Sequence, residues 1–136
     1  MDLIRITAQG EESLSEFYAR EAENHRQEGR RLRARVLDTM VDLLEYLRTS
    51  VDAPPVYAEA SVYELRLIPG DDDTLPTLAT VAAAVAGPKN AGFFIAYELP
   101  PAEGPWENAW VQGLAIDVPQ AAKMIQIALR RNAHAN

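Results

Sequence analysis

The chain reads as an α+β fold, and three observations carry that expectation. A stripe of three- and four-residue steps runs from Leu14 to Leu47, period-two alternation follows from Val56, and helical period returns over Ala121–Leu129. The expected architecture is a long N-terminal helix over 11–48, an antiparallel sheet of three to four strands, a short middle helix, and a C-terminal amphipathic helix packed on the sheet. A single domain over 1–136 is expected, because 136 residues suffice to bury a core without staples.

Residues 2–8 alternate briefly and suit a short strand, which Gln9-Gly10 ends. From Glu11 the segment is free of proline and carries Glu11, Glu12 and Glu16 in its opening turns, where a helix dipole is positive. On a helical projection Leu14, Tyr18, Ala22, His25, Gly29, Leu32, Val36, Met40, Leu43 and Leu47 share one stripe. Leu37, Val41 and Leu44 widen it in the second half, whereas Arg26, Arg30 and Arg33 flank it in the first.

An unbroken helix over 11–48 would be roughly 57 Å long, while a compact domain of this size is about 37 Å across. The overhang must be solvated, broken at Gly29 or paired with another chain. Pairing is the favoured reading, with Tyr18, Ala22, His25, Gly29 and Leu32 as the seam of a homodimer. A break at Gly29 is the alternative.

Beyond Pro54-Pro55 the strand signals begin. Tyr63, Leu65 and Leu67 alternate with Glu64 and Arg66, and Val56–Val62 alternates in the opposite phase, so a bend near Val62 is expected. Pro69–Asp73 is a turn. Residues 75–86 carry an early proline, several alanines and a Gly87-Pro88 stop, which favour a short buried helix; their threonines and valines leave a strand as the alternative. Phe93, Ile95, Tyr97 and Leu99 form one face of a strand, and Trp110, Gln112, Leu114, Ile116 and Val118 form one face of the last. Asp117 caps a final helix that turns Ala121, Met124, Ile125, Ala128 and Leu129 inward, and the tail from Ala133 is expected to fray.

Composition limits the function classes. No cysteine is present, which excludes disulfides, thiolate metal sites and cysteine nucleophiles and suits a cytoplasmic location. No apolar run approaches the roughly 18 to 20 residues that cross a bilayer. The net charge is −7, and residues 51–122 hold ten acids against Arg66 and Lys89 alone. Such a body repels phosphate and attracts basic partners.

The candidate sites are few. Arg26, Arg30 and Arg33 share a helix flank, while Arg31 and Arg35 lie nearly opposite; ion pairing suits this split better than phosphate tracking does. His25 with Glu21 and Glu28 has metal-compatible spacing but occurs once, so no metal is expected. Asp71-Asp72-Asp73 lacks the glycine and glutamate of a calcium loop and reads as a polar turn. Trp110 reads first as core on its strand's inner face and second as a contact residue, whereas Trp106, in a Pro/Gly loop, is the better contact candidate.

No nucleophile elbow, phosphate loop or zinc-protease motif is present. The leading expectation is a non-enzymatic protein-binding module without a cofactor: an inhibitor, immunity-type protein, secretion chaperone or adaptor. Its partner would be basic or amphipathic, and Arg26, Arg30, Arg33, Trp106 and Trp110 are the candidate partner-binding residues. The alternatives are a nucleic-acid binder using Arg26–Arg35 with Phe94 or Tyr63 as a stacking surface, and an enzyme with a site assembled between protomers around His25, Glu21 and Glu28.

Overall fold

A computed structural model describes residues 1–85 and 91–134. The strands are β1 (Leu3–Arg5), β2 (Val56–Ala60), β3 (Glu64–Ile68), β4 (Ala79–Val85), β5 (Ala91–Glu98) and β6 (Trp110–Ala115). The helices are α1 (Leu14–Gln27), α2 (Arg31–Ser50) and α3 (Val118–His134). The strands form one sheet in chain order, with β1 parallel to β2 and each later neighbour antiparallel. The fold is thus α+β, but its sheet is six-stranded and mixed rather than antiparallel with three to four strands.

The expected long helix is two helices. Gly29 has φ +78°, its N–H donates to the Arg26 carbonyl, and the Arg30 N–H donates to the His25 carbonyl. This pair of bonds closes the end of α1 around a left-handed glycine, the usual stop for a helix. The chain then reverses, so the two halves of the stripe face each other. A capping box opens α1, with Ser13 and Glu16 each accepting the other's backbone N–H, so the helix begins at Leu14 and not at Glu11.

Residues 79–85 form β4, so the short middle helix is corrected to a strand. Ala79, Val81 and Ala83 are buried there, and they alternate with half-exposed Thr80, Ala82 and Ala84. Alanine on both faces hides this alternation from a hydropathy reading. The Gly87-Pro88 stop and Lys89 lie outside the described residues, as do Ala135 and Asn136.

The core lies between one face of the sheet and the helical layer. Leu65, Leu67, Val81, Phe93 and Ile95 meet Leu37, Met40, Leu43 and Leu47 of α2 and Ala121, Ile125 and Ala128 of α3. Full burial of each such large side chain is worth about 1.5 to 3 kcal/mol, so this layer carries most of the stability. Asp117 caps α3 by accepting the Gln120 N–H at 2.8 Å, as its position before Val118-Pro119 leads one to expect. No helix among the described residues is long and apolar enough to cross a membrane.

Candidate functional site

Three helices cover one face of the sheet, and the opposite face divides into two halves. On the β2–β3 half, Arg66 pairs with Glu59 at 3.3 Å across the two strands. The same guanidinium donates to the carbonyls of Asp73 and Leu75 and to the Thr77 hydroxyl, at 2.6, 3.0 and 3.2 Å. Arg66 thereby holds the 69–78 loop to this half, and Ile68 is fully buried. The loop is tied further by Asp71, which accepts both the N–H and the hydroxyl of Thr7 and whose carboxyl is held below its ordinary value by those bonds.

The β4–β6 half is apolar and open. Its central row runs Ala82–Phe94–Leu114 across three strands, and the rows beside it are Thr80–Ala96–Gln112 and Glu98–Trp110. Phe94 is 36%, Leu114 43% and Trp110 46% exposed, whereas Phe93, Ile95 and Ala115 beside them on the sheet's other face are at most 3% exposed. Ile116, just past β6, and Trp106, in the loop before it, are 65% and 71% exposed. Neighbouring exposed aromatic and aliphatic groups of this kind mark interaction surfaces, whereas single exposed leucines do not.

The local sequence explains this arrangement. Toward α3, β6 presents only Val111, Gly113 and Ala115, and α3 packs so close that a Cβ on Gly113 would lie 2.4 Å from the Met124 methyl. Strand alternation then sends the large set, Trp110, Leu114 and Ile116, to the opposite side. The loop before β6 is fixed by a turn in which the N–H groups of Glu103 and Gly104 donate to the Pro100 carbonyl. Asn108 takes the left-handed conformation, and Glu103 pairs with Arg131 of α3 at 2.8 Å. Trp106 therefore stands on a braced loop. Glu98 sits across from Trp110, Glu64 across from Ala82, and Glu107 follows Trp106, so acids border the apolar area.

The sequence-derived candidates separate into two places. Trp110 belongs to this open face and is not on the inner face of its strand, while Trp106 is exposed in the loop that leads into β6. Arg26, Arg30 and Arg33 belong to the helical layer on the other side. Arg26 pairs with Glu23 at 3.0 Å and Asp38 at 2.7 Å; hydrogen bonding to Glu23 above all keeps it firmly protonated. Arg30 pairs with Glu28 and lies 3.4 Å from the His25 Nδ1. Arg33 lines a shallow hollow with Leu32, Val36, Tyr63 and Val85.

The seam residues lie mostly inside the chain. Tyr18 and Ala22 are wholly buried, and the Tyr18 hydroxyl donates to the Ser61 carbonyl at 2.8 Å. His25 stacks on Tyr63 at 6.4 Å, Gly29 occupies the turn, and Leu32 is 44% exposed. Among the described residues, no three histidines, aspartates or glutamates gather as a metal site would require, so His25, Glu21 and Glu28 are not brought together in that way.

Sequence reasoning did not single out Leu114 and Ile116, although it put both on the Trp110 face. The available signal was that residues 110–116 alternate two sets of different bulk, with the small set matched to a close-packed helix. Compared with models of known families, with curated proteins and with solved structures, the chain matches none.

Proposed function

We propose that the chain is a non-enzymatic protein-binding module that docks a basic or amphipathic partner segment on the open β4–β6 face. Inhibitor, immunity-type protein, secretion chaperone and adaptor all belong to this class. The observation that carries the reading is the contrast within one sheet face. Arg66 and its loop close one half, while Phe94, Leu114 and Trp110 stay in contact with solvent on the other, and Trp106 in the loop before β6 is exposed as well.

Leaving such groups exposed forgoes about 25 cal/mol per Å² of apolar area, which a partner recovers on docking. Tryptophan is enriched among binding hot spots, and here two exposed ones stand four positions apart, at the start of β6 and in the loop before it. The bordering Glu64, Glu98 and Glu107 complement a partner carrying lysine or arginine around an apolar stripe, and the net charge of −7 steers it inward. Ion pairing at Arg26 and Arg30 favours this reading over phosphate binding by the arginine block.

Affinity capture from the native cell, comparing the wild-type chain with a Trp106→Ala/Leu114→Asp variant, tests the proposal. Proteins retained by the wild type and lost by the variant support it. Identical retention by both chains, or no enrichment by either, refutes it.

A further inference from the structure

Among the described residues, the outer edge of β6 presents an uncapped hydrogen-bonding strip. The Leu99 N–H donates to the Ala109 carbonyl at 2.8 Å, and these two residues extend the β5–β6 register by one pair. Hydrogen-bonded pairs alternate along an antiparallel ladder. Val111, Gly113 and Ala115 therefore turn their backbone groups to β5, and Trp110, Gln112 and Leu114 turn theirs outward. The next outward donor, the Ile116 N–H, is taken by the Gln120 side chain at 3.0 Å, which closes the strip at that end. Between the ends, three N–H and three carbonyl groups face away from the sheet on exposed residues.

Edge strands are ordinarily protected by a lysine, a proline, a bulge or a covering element. Residues 109–116 contain no charged residue and no proline, although the chain carries a net charge of −7. The strip is also self-complementary. Two copies set antiparallel about Gln112 place Trp110 against Leu114 of the partner subunit, Gln112 against the partner's Gln112, and Leu114 against the partner's Trp110. All outward groups then find partners at once. On the helical side Val111 meets the partner's Gly113, a branched side chain against bare backbone.

We propose that two copies of the chain pair through β6, antiparallel and centred on Gln112, joining their sheets into one. Self-complementarity identifies the occupant as a second copy, and the uncharged residues 109–116 let the two acidic chains meet without setting acid against acid along the strip. The pairing leaves the open face uncovered and makes it continuous across the two-fold axis. It does not rest on partner binding, since it concerns the purified chain alone.

Sedimentation velocity across a concentration series provides the test, using wild type, Gln112→Lys and Gln112→Glu. Gln112 is exposed, so both variants keep the wild-type circular dichroism spectrum. The wild type sediments as a dimer of the 15.0 kDa chain. Each variant alone sets like charges together on the axis and raises the dissociation constant at least about tenfold. An equimolar mixture of the two regains a dimer, because lysine then faces glutamate; restoration by mixing is not expected of a merely destabilised fold. A monomeric wild type, dimers of unchanged affinity in both variants, or a mixture that stays monomeric would each overturn the proposal. Loss of the dimer leaves the captured partner proteins as a separate question.

Discussion

Phe94 on β5 stands directly across from Leu114 on β6, and both side chains point away from the helices. Their chain neighbours Phe93 and Ala115 form the adjacent pair and are fully buried. One step along each strand thus separates the core from the open face, and the two sides respond differently to substitution. Phe93→Ala is expected to cost about 3 to 5 kcal/mol of unfolding free energy. Leu114→Thr changes it by less than about 0.5 kcal/mol and retains the fold. Urea unfolding followed by circular dichroism checks both, and comparable losses would show that Leu114 is covered within the chain.

Gly29 lies in open space, with nothing within 4 Å of the position a Cβ would take. Its φ of +78° is therefore the only demand on the residue. Gly29→Ala is expected to cost about 1 kcal/mol, and Gly29→Asn less, because asparagine tolerates the left-handed region. Equal costs for the two variants would point to packing instead.

Burial holds the Tyr18 phenol above its ordinary value of 10.0, and Arg5 opposes that shift only in part. The neutral hydroxyl is the form that donates to Ser61, so Tyr18→Phe is expected to cost about 1 to 2 kcal/mol near neutral pH. A raised pKa stabilises the fold fully below the unfolded value, and that contribution declines as pH rises above about 10. The wild type should therefore lose part of its advantage over Tyr18→Phe in alkali. Thermal midpoints from pH 8 upward to about 11 read this slope, and a constant difference would contradict it.

Asp71 fastens the 69–78 loop to Thr7, and its depressed pKa has the opposite sign of dependence. Its contribution is present above the ordinary value of 3.8 and is lost as pH falls through the depressed one. Asp71→Asn should lower the thermal midpoint at neutral pH and converge with the wild type in acid. Hydrogen exchange of the Thr7 amide, faster in the variant at neutral pH, locates the effect.

How much of this was legible in the sequence depended on contrast between faces. The alternation of Tyr63, Leu65 and Leu67 with Glu64 and Arg66, and the inward set of α3, separate apolar from polar residues and were readable. Residues 79–85 place alanine on both faces, so period and propensity pointed to a helix. The Leu14–Leu47 stripe crosses Gly29 without a change of step because both arms of a hairpin turn their apolar sides to each other. Sequence spacing cannot distinguish that from one long seam. β6 misled for another reason: its bulky set, Trp110 and Leu114, is the exposed one, and its small set packs on α3 through Gly113.

The most direct test of the open face is hydroxyl-radical footprinting of the chain's two tryptophans, Trp106 and Trp110. The measurement compares the purified chain with the chain in complex with a protein recovered from its native cell. Both tryptophans and Leu114 are expected to lose reactivity in the complex while Leu32 on the helical layer keeps it. Unchanged tryptophans with protection confined to Leu32 and its neighbours would contradict that expectation.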